Sequence, residues 1–264
     1  MKDEQTRSAM LSGCRVLDFT QYLAGPTVTR LMAEMGADII KVELAPMGDP
    51  ARLLPMVKSG RNSYFVQQNR GKKSLCLDFN KPEALEILRA LVAKVDIVVE
   101  NYGAGVLTKR GLDYDSLKQI NPRLIMASLS AFGRNSPLAH KTGYDFIAQA
   151  FSGLMHMNGE PDGPPMFVGI AMADVGSGVH AFAALGYALY NREKQASAST
   201  SISRWSTLFT TCTISVCKVT RSAAVSSSPN GWGGITIRSV RVASTRPRKA
   251  GFSSWSSIVS GPIW

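Results

Sequence analysis

A carboxylate at the start of a helix, two small basic clusters and a glycine turn are the features of this sequence that chemistry can use. Asp174 opens the apolar, helix-periodic stretch 174–193. An aspartate there caps the helix. Such a carboxylate is ionised near neutrality by its residue type, and a helix N-terminus steadies the anion. Gly71-Lys72-Lys73 and Lys109-Arg110 adjoin predicted strands, where such residues form solvated surface or pair with phosphate. Gly103-Ala104-Gly105 follows a predicted strand, but Thr108 stands where a dinucleotide fingerprint needs its third glycine. No GxxxxGKS/T loop or HExxH motif occurs, and His140, His156 and His180 lack ligand spacing, so no metal site is expected. Cys14, Cys76, Cys212 and Cys217 show no CxxC pairing. Cys14 and Cys76 read as reduced core thiols.

The elements that must position these residues alternate short apolar runs with helical patterns, which predicts an α/β fold: a Rossmann-like, doubly wound, mostly parallel sheet. Strands are expected over 15–19, 38–43, 74–78, 96–100 and 124–128. Ala24-Gly25-Pro26 reads as a turn into a helix with Pro26 near its first position, stopping at Gly36. Residues 82–94 form an amphipathic helix with Leu85, Leu88 and Val92 on one face. A short helix closes over 117–120, and further helices are expected over 146–154 and 174–193. In such sheets ligands sit at the carboxyl ends of strands, so the loops after Phe19, Glu43, Glu100 and Ser128 are the places for a site.

Composition divides the chain at Lys194. Of the formal net charge of +11, the first 194 residues account for only +3, with 22 Lys and Arg against 19 Asp and Glu. Residues 195–264 hold no acid, 17 serines and all four tryptophans, without strand or helix periodicity. The tail therefore reads as a disordered, out-of-frame segment. With codons chosen for residues 194–209 and each started at its third base, the peptide becomes A-G-I-G-Q-H-I-D-I-S-M-V-D-A-L. The same offset over 242–264 yields an apolar strand bounded by turn residues and recovers acidic side chains. The tail's basic residues form no helical stripe, so no nucleic-acid partner is expected. No apolar run approaches the roughly 20 residues of a membrane helix, and residues 1–7 are polar, so no membrane association and a cytoplasmic location are expected.

Several blocks in one order resemble the family III (CaiB/BaiF-type) CoA transferases: Arg15 to Thr20 with Ala24-Gly25-Pro26, then 36–43, 69–74, 96–102, 121–125, Gly143-Tyr144-Asp145, and Ala173-Asp174-Val175-Gly176 with the helix to Glu193. The resemblance covers residues 10–194 and makes 1–194 the N-terminal part of that domain, with 195–264 its tail. It implies that Asp174 is the catalytic carboxylate. It also implies that Gln21, Tyr22, Leu23, Ala24, Asn69, Lys72, Lys73, Asn101, Tyr102, Gly103 and Lys109 hold CoA.

The implied reaction moves CoA from an acyl-CoA to a carboxylic acid through aspartyl-anhydride and aspartyl-CoA intermediates. CoA is then a substrate and no cofactor is required. The family further implies an interlaced homodimer whose threading segments lie beyond the matching region. An α-methylacyl-CoA racemase shares the fold, but racemases resembling this family carry a histidine where Tyr144 stands. The remaining alternative is an inactive frameshifted product.

Overall fold

The computed structural model describes residues 9–55, 57–58, 60–134, 136–160, 162–194 and 200–203. They belong to the first of two compact units, Met1–Val216; the second, Cys217–Trp264, lies outside the described residues. In chain order the elements are β1 (Arg15–Phe19), α1 (Ala24–Glu34), β2 (Asp38–Leu44), β3 (Val57–Lys58), β4 (Arg61–Asn62), α2 (Ser63–Asn69), β5 (Lys73–Leu77), α3 (Pro82–Val92) and β6 (Ile97–Glu100). They continue as α4 (Tyr114–Ile120), β7 (Ile125–Ser128), α5 (Asp145–Phe151), α6 (Leu154–Met157), α7 (Met172–Lys194) and β8 (Thr200–Ser203). Six strands form one sheet in the order β5-β2-β1-β6-β7-β8. Every neighbouring pair is parallel. Counted within that sheet the order is 3-2-1-4-5-6, that of the doubly wound dinucleotide folds.

A parallel sheet is covered on both faces, so its central strands must be apolar on both sides. Ile97, Val98, Val99, Ile125, Met126 and Ala127 are all buried accordingly. Alternate side chains reach two separate cores. Val16, Ile39, Ile97 and Ile125 pack with Val28 and Met32 of α1 and Leu185 and Ala188 of α7. Leu17, Val42, Val98 and Met126 pack with Leu88 and Val92 of α3 and Leu117 of α4. Pro82 opens α3, where its missing N–H costs nothing. The side chains of Asn62 and Asp113 cap α2 and α4.

Several expectations shift. The α1 helix begins at Ala24, so Ala24-Gly25-Pro26 is its first turn rather than a lead-in; Pro26 is tolerated because N–H groups that early lack intrahelical partners. The helix expected over 146–154 breaks into α5 and α6 at Gly153, whose φ of 81° ends the first. The third sheet strand runs 73–77, one residue early, and lies at the sheet edge, which leaves Cys76 exposed rather than in the core. The α7 helix begins at Met172, two residues before the expected start. The proposed tail, 195–264, lies outside the described residues except for β8, which pairs with β7.

The helices α1 and α7 meet at a glycine. A Cβ on Gly178 would sit 2.7 Å from the Ala24 carbonyl oxygen and 2.7 Å from Thr27 Cβ. At its far end α7 is fixed by Arg192, whose Nη2 lies 3.0 Å from Asp96 Oδ1. Gly186 in the same helix is exposed and has open space at its Cβ position. Gly178→Ala should therefore lower unfolding stability by about 1–3 kcal/mol. Gly186→Ala should raise it by roughly 0.5–1 kcal/mol. Urea titrations followed by circular dichroism check both; equal effects would remove the close-approach explanation.

Candidate active site

From β1 the chain crosses to β2 and β5 on one side, and β6, β7 and β8 occupy the other. The strand order reverses between the paired β1 and β6, and a ligand crevice forms in such sheets outside their carboxyl ends. The two loops leaving that point are tied by Asn101. Its Oδ1 accepts from Gln21 N–H at 2.8 Å, and its Nδ2 donates to the Gln21 carbonyl at 2.8 Å. Tyr22 follows with φ +62°, the single non-glycine residue with positive φ among the described residues. A cleft beside this loop is lined by Gln21, Val42, Leu44, Met47, Pro50 and Tyr102 among others.

Beneath the loop lies a set of paired buried charges. Asp18 accepts from Thr20 N–H, Thr20 Oγ1 and Thr29 Oγ1 at 2.8, 2.5 and 2.7 Å, and from Lys72 Nζ at 3.0 Å. Burial opposes its ionisation, but Lys72, Lys41 and the two hydroxyls outweigh that and hold the carboxyl at about 2. Burial dominates at Lys72, drawing its ammonium down to about 8 despite Asp18. Glu43 is similar to Asp18: against the cost of burial, the Arg52 fork at 2.7 Å on each oxygen, Asp49 N–H and Ser74 Oγ hold it at about 2.

Asp174 lies in the first turn of α7. It is not the cap. That work is done by Asp145 of α5, whose Oδ1 accepts from Ala173 N–H at 2.7 Å and Asp174 N–H at 3.1 Å. Asp145 Oδ2 accepts from Gln149 Nε2 at 2.5 Å, and Gln149 in turn receives Val168 N–H. Partial burial, followed by the Asp145 charge, pushes the Asp174 carboxyl from its ordinary 3.8 to about 7. Full ionisation at neutrality, expected from the residue type, is thereby corrected. The Tyr64 phenol is pushed up to about 12 by burial and by the charges of Asp174, Asp49 and Asp145, and so remains a neutral donor in the carboxylates' surroundings.

The residues expected to hold a ligand separate into distinct roles. Gln21, Tyr22, Leu23 and Ala24 form the loop and the first turn of α1, and Asn101, Tyr102 and Gly103 form the loop facing it where the strand order reverses. Asn69 and Lys72 lie behind the loop. Lys72 is 1% exposed and donates to Asp18 Oδ2, the Pro26 carbonyl and Asn69 Oδ1, so its ammonium organises protein rather than offering a free charge. Lys73 is 69% exposed at the sheet edge and pairs with Asp38. Lys109 is exposed, in a 3-10 turn after β6, and makes no ion pair among the described residues. Lys41, Asp49, Tyr64 and Asp145 were not singled out by the sequence. Asp145 and Lys41 had a signal, their places in the Gly143-Tyr144-Asp145 and 36–43 blocks.

Residues 11–234 match the sequence model described as CoA-transferase family III. The chain belongs to that family. Among family members, the succinate–glutarate CoA-transferase of Agrobacterium fabrum is 43% identical over 196 residues, which are 72% of this chain and 49% of that one. The formyl-CoA:oxalate CoA-transferase of Rhodopseudomonas palustris is 40% identical over 69% of this chain and 43% of its own length. The family III chain thus spans about half the length of the curated relatives it matches. A CAIB/BAIF family protein from Brucella suis has the same fold, with a TM-score of 0.73 at 39% identity, covering 80% of this chain and 56% of that one.

The raised pKa of Asp174 in this family III chain has a stability consequence of definite sign. Its folded value of about 7 exceeds its ordinary 3.8, so the native state holds a proton that the unfolded state releases. The contribution to stability is complete below about pH 4 and is lost as pH rises toward 7. Asp174→Asn removes that loss. The variant's stability advantage over the parent, measured by denaturant titration, should grow from pH 5 to pH 8; a constant difference would mean an ordinary carboxyl.

Proposed function

We propose that this chain provides the CoA-binding part and the nucleophile of a CoA transferase that moves CoA from an acyl-CoA to a carboxylic acid. One observation carries the reading: Asp174 is a partly buried carboxylate at the α7 N-terminus, with its proton affinity raised to near neutrality. A carboxylate with raised affinity for a proton is also the better nucleophile toward a thioester carbonyl, once ionised. The named activities of the relatives, succinate–glutarate and formyl-CoA:oxalate CoA transfer, support the reaction class.

In this reading the Asp174 oxygen attacks the thioester carbonyl, forming a mixed anhydride and releasing CoA thiolate. The thiolate then attacks the aspartyl carbonyl, which expels the donor carboxylate and leaves an aspartyl-CoA thioester. An acceptor carboxylate attacks that thioester, giving a second anhydride and free thiolate. Attack of the thiolate on the acceptor's acyl carbon forms the new acyl-CoA and restores Asp174. Each step exchanges one acyl bond for another, and no electrons leave the system. The nucleotide end of CoA would lie in the cleft by Tyr102, with its phosphates toward Lys109.

Succinyl-CoA added without an acceptor should leave hydroxylamine-trappable label on Asp174, located by peptide mass analysis. Asp174→Asn should abolish the label with the fold retained. Label on another carboxylate would overturn the assignment. The acid-free composition of residues 195–264 favours a second reading, a frame change near codon 194 that leaves this chain without complete transfer activity. Sequencing the DNA there and assaying the chain beside its frame-restored counterpart separates the two. Lys109→Ala should weaken CoA binding by tenfold or more in a calorimetric titration, where a phosphate pair is lost. Lys73→Ala, already paired with Asp38, should change it less than threefold.

A further inference from the structure

The backbone of residues 20–23 is not held by neighbouring strands. It is held almost wholly by side chains reaching from elsewhere. Thr20 N–H goes to Asp18, and the Thr20 carbonyl accepts from Lys41 Nζ at 2.6 Å. Both polar groups of the Gln21 backbone go to Asn101. Tyr22 N–H donates to Asp49 Oδ1 at 3.2 Å. A tyrosine at φ +62° is in a conformation its own side chain disfavours. Something outside the loop must therefore keep it there.

Asp49 is built for that task. Its Oδ1 also accepts from Ala51 N–H at 2.9 Å, and its own N–H donates to Glu43 Oε2 at 2.9 Å. Its Oδ2 lies 2.9 Å from Lys41 Nζ, an ion pair outside hydrogen-bond geometry, with both side chains 1% exposed. Lys41 and Glu43 stand on the same face of β2. One strand thus fixes Asp49 at both its backbone and its carboxylate, and Asp49 passes that position to Tyr22. Gln21 and Asp49 also line the same cleft.

We propose that Asp49, anchored by Lys41, is a positioning residue that holds residues 20–23 in the ligand-binding shape. It touches no reacting atom and acts through Tyr22. This deepens the proposed function and rests on it for the identity of the ligand, CoA. The required chemistry is an acceptor oxygen at Oδ1 and a negative charge facing Lys41 at Oδ2, so asparagine, which keeps only the first, should substitute in part and alanine not at all.

Two readouts on the full chain test this: the CoA dissociation constant by calorimetry, and deuterium uptake of the peptide spanning residues 20–24. Asp49→Ala should weaken CoA binding at least tenfold and speed exchange in that peptide at least tenfold. Protection across β1 and β6 should remain. Asp49→Asn, which keeps the Oδ1 acceptor but not the charge facing Lys41, should fall between the parent and Asp49→Ala in both. Unchanged loop exchange in Asp49→Ala would overturn the proposal, as would a uniform loss of protection through the sheet. If the parent chain fails to bind CoA, the proposed function is what fails, and the exchange pattern alone then decides the role of Asp49.

Discussion

The Asn101 amide carries the structure's central constraint. Where the sheet's strand order reverses, the loops after β1 and β6 diverge, and nothing in the sheet's own hydrogen bonding joins them. Asn101 joins them with two bonds, one donated and one accepted, to a single residue of the opposite loop. That geometry requires a planar group carrying both a donor and an acceptor, which aspartate cannot supply when ionised. The Rossmann-type order and the clasp depend on each other. The order opens the crevice, and the clasp fixes its width.

Charge burial follows from the same placement. The carboxyl edge of the sheet gathers Asp18, Lys41, Glu43, Asp49 and Glu100, all nearly inaccessible to water. Isolated, each would be costly, and together they persist because nearly every oxygen and ammonium hydrogen has a partner. Glu100 belongs to this set through Arg134, which bonds both its carboxylate and the Tyr102 carbonyl. Asp174 is the exception. The backbone N–H groups that would have lowered its pKa are claimed by Asp145, so the α7 N-terminus stabilises the supporting carboxylate and leaves the other one basic. The division of labour separates a capping acid from a proton-holding one at a single helix start.

The sequence made the fold legible because the signals were periodic and local. Three-residue apolar runs such as Ile97-Val98-Val99, and Pro82 at a helix start, state their structure without reference to distant residues. Asp174 was legible as a residue, yet its acidity was not, since that depends on Asp145, 29 residues away and joined only when α5 meets α7. Lys72 misled for the opposite reason. Beside Lys73 it resembles a surface cation, and only the packing of α1 over β1 shows that it points inward to Asp18. The peptide H-I-D-I-S of the offset reading draws on the codons of 199–204. That span includes β8, which pairs with β7.

The glycine at the crossing of α1 and α7 gives the molecule a mechanical ruler. Gly178 is one helical turn beyond Asp174, and it rests against the carbonyl of Ala24, where the loop after β1 ends. How deeply α7 sinks there sets the span between carboxylate and loop. That span is calibrated at a buried point with no charge, and what calibrates it is a thickness, the absence of a single methyl group.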